Sequence, residues 1–327
     1  MDRPIDAPPL HWFLLGADRR RIAWQYWVHD LLWGSCYTSV HFVLRLLPAD
    51  AVSAAGSWFG NFCRRHVNFK IGSMRRYRAH EALARKNWAW LRAQDNDPAV
   101  VEGAMNSAFR NVGRVQCEFA ALKKIWHEGR VSVEGAQHLD AARDGSRPII
   151  VVGLHIGNWE LIGPSLLDAG HICTAVYQEP PSRFDHYMVV SSRLRWGAKL
   201  IPPGRGGGRI ALRVLVDRKD VLVIFLDECV DGVVYAPFFG RPARYDGNIA
   251  YAARLAAITN AVIIPAYCRR LRDASFRVTF LPPIELVHTG DRKRDLIANV
   301  AAINANIEPI VRANLDQWFW IFDLQQD

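Results

Sequence analysis

The spacing of apolar positions changes near residue 129. Before it, hydrophobic residues recur at helical intervals; after it, short β-branched runs alternate with amphipathic stretches. Residues 19–47 carry an aromatic amphipathic pattern closed by Pro48, and 50–67 and 71–91 read as second and third helices. Asp97-Pro98 opens a fourth that runs to about Trp126, with proline at its first turn. Strands are then expected at 131–133, 149–154, 172–177, 199–201, 221–226, 262–267 and 276–281. Between them lie helices near 184–196, 210–219 and 249–259, and a long last helix covers 291–315. This alternation predicts an α/β fold: a mainly parallel sheet covered by helices on both faces. Residues 1–128 are expected to form a helical, basic, Trp-rich, membrane-facing extension, and 129–327 the α/β domain. The alternative is one continuous domain.

Composition narrows the class. With 50% hydrophobic and 22% charged residues, the 327-residue chain can bury a full core and is too apolar for disorder. The net charge of +9 is uneven: residues 1–93 hold 14 Lys/Arg against 6 Asp/Glu, and 7 of the 12 tryptophans. Cations mixed with indoles suit an anionic membrane surface, because the rings sit at headgroup level. The plainer alternative is that these tryptophans are core. No zinc-finger spacing, RNA-binding aromatic signature or basic coiled coil occurs, so nucleic acid is not an expected partner. The most apolar stretch, 31–48, contains His41 and Arg45 and is short for a bilayer, which predicts peripheral or shallow insertion. The six cysteines show no metal spacing, and neither a metal nor a cofactor is expected.

The chemistry concentrates after the run Pro148-Ile149-Ile150-Val151-Val152, a buried strand that delivers His155 to its carboxyl end. Gly157 permits a sharp turn and Glu160 follows near the start of a helix. Histidine there can take a proton from a hydroxyl while a carboxylate steadies the imidazolium. Glu160 is the expected carboxylate, with the intervening turn folding His155 back over the helix start. Asp227 closes another apolar strand at the same edge, either to position substrate or an arginine, or as a turn cap. Asn158 sits within the turn and either bonds substrate or makes a local contact. No GxSxG elbow is present, so no serine nucleophile is expected.

His155-Ile156-Gly157-Asn158-Trp159-Glu160 resembles the HxxxxE block of the late acyltransferases of lipid A biosynthesis, in the lysophospholipid acyltransferase superfamily. Further blocks follow the family's order: Phe109 to Arg114 with Glu118, Phe225-Leu226-Asp227-Glu228, Pro237 to Ala243, Ala253 to Ala256, and Gln317-Trp318-Phe319-Trp320. The resemblance implies acyl transfer from a thioester of acyl carrier protein, or of CoA, to a hydroxyl of a membrane glycolipid at the cytoplasmic face of a bacterial inner membrane. It implies His155 as base and an arginine, Arg193 or Arg195, for an oxyanion or phosphate. Arg241 and Arg244, flanking the phenylalanine-glycine block, are candidates for lipid phosphate. The chain departs from the family where a basic run usually follows the last tryptophan, since residues 321–327 carry no positive charge. A glycerophospholipid or another hydroxylated lipid is therefore an alternative acceptor. A non-catalytic lipid-binding protein is the alternative from another class.

Overall fold

A computed structural model describes residues 7–66, 77–180, 182–202, 205–217, 220–230 and 232–326. The helices before the sheet are α1 (Ala17–Trp24), α2 (Leu31–Leu44), α3 (Ala49–His66), α4 (Tyr77–Leu91), α5 (Pro98–Glu118) and α6 (Leu122–His127). Then come β1 (Val131–Glu134), α7 (Gln137–Asp144), β2 (Ile149–Gly153), α8 (Ile162–Asp168), β3 (Ile172–Val176) and α9 (Arg183–Arg195). β4 (Lys199–Ile201), α10 (Arg205–Asp217) and β5 (Asp220–Phe225) precede a small ribbon, β6 (Cys229–Val230) with β7 (Val233–Val234). α11 (Asn248–Thr259), β8 (Val262–Arg272), β9 (Ser275–Phe280) and α12 (Arg292–Ala313) complete the chain.

Seven strands form one sheet in the order β1-β9-β8-β2-β5-β3-β4. β8, β2, β5, β3 and β4 run parallel, while the β8–β9 hairpin reverses the last two strands. The fold is thus the mainly parallel α/β sheet that the alternation predicted. β2 is buried along its whole length, as expected of a central strand covered on both faces. Its alternate residues serve two cores: Ile150 and Val152 pack with α4, α5, α10, α11 and α12, and Ile149 and Val151 with α3, α6, α7 and α8.

Two expectations need adjustment. The helix predicted to run to Trp126 stops at Glu118, and the turn after it redirects Leu122 and Ile125 of α6 into the core. The strand predicted at 262–267 extends to Arg272, because it pairs with β9 as a hairpin beyond the sheet's carboxyl edge. The expected start of the third helix, 71–76, lies outside the described residues.

The amino-terminal helices present an apolar face. α2 has no charged residue and touches the body through Gly34, Tyr37, His41 and Leu44, leaving Leu32, Trp33, Val40, Phe42 and Val43 exposed. Its 14 residues span about 21 Å, short of a hydrocarbon core of about 30 Å. Among the described residues, no helix is long and apolar enough to cross a membrane. α2 is anchored on α9: Gly34 packs against the Phe184 ring, and Arg183 pairs with Asp30 at 3.1 Å while stacking over Tyr26.

Candidate active site

Parallel register builds the site. Gly153 of β2 pairs with Phe225 of β5, so two residues further on His155 faces Asp227 at the carboxyl edge, where open α/β sheets hold their ligands. The His155 backbone N–H donates to Asp227 Oδ2 at 2.8 Å, and Nδ1 lies 2.8 Å from Oδ1. Trp318 adds a third donor, its indole N–H reaching Oδ2 at 2.8 Å. Three donors converge on this fully buried side chain, and the contact of Nδ1 with its oxygen assigns a proton to Nδ1. The Trp320 indole nitrogen lies 3.2 Å from the same Nδ1. One ring nitrogen cannot donate to Asp227 and accept from Trp320 together, and the shorter contact to a charged acceptor decides the tautomer. Nε2 is then left with its lone pair, on a ring 19% exposed and reachable from outside. Phe225 and Trp159 pack against that ring at 4.5 and 5.0 Å between centroids.

The loop that carries His155 is clamped on both sides. Gly157 sits at φ +60°, and a Cβ there would stand 2.2 Å from the Cys268 carbonyl oxygen, so only glycine lets the turn pass β8. Gly157 N–H donates to the Gln317 carbonyl and Phe319 N–H to the His155 carbonyl, which lays the carboxy-terminal segment along the loop like a short strand. Beneath it, Arg270 makes two hydrogen bonds to Glu118 and one to Asn111, and Asn111 reaches the Gly157 carbonyl. This buried pair is matched in charge and its remaining donors and acceptors are used, which a charge pair out of water requires.

Glu160 does not hold the imidazole. The 3-10 turn Trp159–Leu161 carries its carboxylate to Arg193, which donates to it through Nε at 2.9 Å and Nη2 at 2.7 Å. Burial works against the Arg193 charge, but the Coulombic pull and hydrogen bonds of Glu160 outweigh it and leave its pKa above the ordinary value. The carboxylate that contacts the imidazole is Asp227, supplied by a neighbouring strand rather than by the same loop. Of the two candidate arginines, Arg193 bonds Glu160 and Arg195 is exposed. Asn158 is buried, and its amide nitrogen donates to Glu118 at 2.9 Å. Arg241 and Arg244 are engaged elsewhere, Arg241 on the carbonyls of Pro237, Phe238 and Gln325, and Arg244 on Asp246 and over the Tyr235 ring.

Beside Asp227, Glu228 accepts a hydrogen bond from the Asn248 backbone N–H at the start of α11. Burial pushes its pKa up to about 7, with Asp246 and Asp227 adding repulsion against the opposing Asn248 bond and the Arg244 charge. The indole of Trp318 is the functional contact that periodicity could not find, since it is reached only when the chain's last segment returns to the sheet.

The sequence pattern described as the bacterial lipid A biosynthesis acyltransferase matches residues 20–325. The lipid A biosynthesis palmitoleoyltransferase of Escherichia coli (strain K12) is 25% identical over 268 residues, covering 77% of this chain and 81% of its own length. The phosphatidylinositol mannoside acyltransferase of Mycobacterium tuberculosis (strain ATCC 25618 / H37Rv) is 28% identical over 182 residues, covering 52% of this chain and 55% of its own. A crystal structure of the 1-acyl-sn-glycerophosphate (LPA) acyltransferase from Thermotoga maritima aligns with 71% of this chain at 14% identity and a TM-score of 0.31, a distant likeness. The chain belongs to the bacterial lipid A biosynthesis acyltransferase family.

Proposed function

We propose that the protein moves a fatty acyl chain from a thioester to a hydroxyl of a membrane glycolipid, such as a lipid A precursor, with His155 as general base. The observation that supports this reading is the partly exposed His155 ring tied through Nδ1 to the buried Asp227 carboxylate. Nε2 takes the acceptor's hydroxyl proton as the oxygen attacks the thioester carbonyl. A tetrahedral oxyanion forms, the C–S bond breaks, and the leaving thiolate takes the proton from the imidazolium. The products are an ester and a thiol. Asp227 holds the tautomer and stabilises the imidazolium, the part a carboxylate plays in hydrolase triads. Arg193, oriented by Glu160, offers positive charge to the oxyanion or to a substrate phosphate.

The donor is the thioester of an acidic acyl carrier protein, steered by the net positive charge, or of CoA. Residues 1–128 supply the contact with an anionic membrane at the cytoplasmic face: the apolar side of α2 lies among lipid tails and the flanking arginines among headgroups. A second reading concerns the acceptor alone. The mycobacterial relative is named for a mannosylated phosphatidylinositol, so a phospholipid-based acceptor fits as well.

The test is purified protein with acyl carrier thioester and candidate lipids, following thiol release and the ester product. Turnover is expected, and it is expected to vanish in His155→Ala while liposome binding persists. Undiminished turnover in that variant removes His155 as base. A wild-type protein that binds lipid without turnover returns the chain to a lipid-binding role. Lipid mass spectrometry of cells with and without the protein names the acceptor.

A further inference from the structure

Arg193 is held on two sides. Glu160 takes Nε and Nη2, which leaves Nη1 without an acceptor among the described residues. On the other side, the guanidinium carbon lies over the Tyr177 ring, 5.5 Å from its centre. Tyr177 is the first residue after β3, and its backbone N–H still donates to the Ile201 carbonyl of β4 at 3.0 Å. Ala175 pairs with Val223, so two residues further on Tyr177 stands beside Phe225, the residue packed on the His155 ring. The phenol is buried, and its hydroxyl oxygen lies 3.1 Å from Nδ1 of His186. His186 and Arg193 are seven residues apart on α9, which puts them two turns and about 10 Å apart along one face. One phenol spans that interval, with its oxygen on the imidazole and its ring under the guanidinium. Burial pushes the phenol up to about 12 against the pull of the Arg193 charge, so it stays neutral. A neutral ring holds the face of a cation without taking an N–H that a substrate would use.

We propose that Tyr177 is a positioning residue of the acyl-transfer site: with its hydroxyl fixed by His186, its ring holds the Arg193 guanidinium so that Nη1 is presented to the tetrahedral oxyanion. The inference rests on the acyl-transfer reading. The two bonds to Glu160 set the direction of the guanidinium within its own plane, and the ring beneath restrains its tilt. The oxyanion exists only at the top of the barrier, so a tilted donor slows the step and leaves donor binding alone.

Thiol-release kinetics test this in wild type, Tyr177→Phe, Tyr177→Leu and Tyr177→Met. Two truncations are made so that a folding failure in one leaves the other. Each truncation is expected to lower kcat about tenfold, the worth of one desolvated cation–ring contact, with KM for the thioester within about twofold. Tyr177→Phe keeps the ring and should stay within about threefold of wild type. In an Arg193→Gln background the same truncations should add less than about twofold, because they act through the guanidinium. A further tenfold loss in that background, or a raised KM with kcat intact, overturns the assignment.

The Arg193 Nε–H signal in NMR, identified by its disappearance in Arg193→Gln, reads the geometry without turnover. Its exchange with solvent should be slow in wild type and Tyr177→Phe, and about tenfold or more faster in both truncations. Exchange unchanged by the truncations overturns the proposal. Slow exchange that depends on the Tyr177 ring, in a protein that shows no turnover, leaves the positioning contact standing and defeats the acyl-transfer reading instead.

Discussion

The sheet's carboxyl rim and the helix α2 treat polarity in opposite ways. At the rim, charged groups are buried and tied: Asp227 takes three donors, Glu118 takes three, and Glu160 takes two from one guanidinium. In α2 nothing is charged and most side chains face outward, with Leu32 and Phe42 each 65% exposed. The rim therefore specifies one geometry at high cost if a partner is lost, whereas α2 specifies only a surface. Changes at the rim should act on chemistry or folding; changes on α2 should act on where the protein sits.

The largest effect is expected at the imidazole. His155→Ala should lower the thiol-release rate by about 10²–10⁴-fold. Next comes the buried pair under the loop. Arg270→Met leaves Glu118 charged, fully buried and short of two donors, and should cost about 3–5 kcal/mol in denaturant unfolding.

Glu228 should give a smaller, pH-dependent signature. Its pKa rises from an ordinary 4.5 to about 7 on folding, so between those values the folded state holds a proton that the unfolded state has released. Its contribution is complete below about pH 4.5 and is lost as pH rises to about 7, by on the order of 2–3 kcal/mol. Glu228→Gln should lack that slope, so the wild-type-minus-variant difference in stability should fall between about pH 4.5 and 7; a difference flat in pH would contradict it. The smallest intrinsic effect belongs to α2. Replacing Leu32, Phe42 and Val43 with serine should reduce liposome flotation about tenfold, while turnover on detergent-dispersed acceptor stays within about twofold. A matching collapse of detergent turnover would erase the division between the two regions.

Much of this was legible in the sequence where the information is local. The apolar run 149–153 and Gly157 announced a strand that ends in a turn carrying His155, and both are present. The pairing of that histidine was not local. Asp227 lies 72 residues away and meets it only through the β2–β5 register, so loop spacing favoured the nearer Glu160. The choice between Arg193 and Arg195 depends on how α9 is rotated, since residues two apart on a helix point to different sides. Trp318 depends on the course of the last segment after α12. The paired arginines at 241 and 244 showed the opposite failure: charge near a turn suggested phosphate, yet their guanidinium groups satisfy backbone and Asp246.

The central claim is that Asp227, rather than Glu160, fixes His155 with its proton on Nδ1. Nitrogen-15 NMR of histidine-labelled protein tests this directly, in wild type, Asp227→Asn and Glu160→Gln. The account predicts a neutral ring protonated at Nδ1 in wild type, preserved in Glu160→Gln and lost in Asp227→Asn. A wild-type ring protonated at Nε2, or a tautomer that changes with Glu160 and not with Asp227, would contradict it.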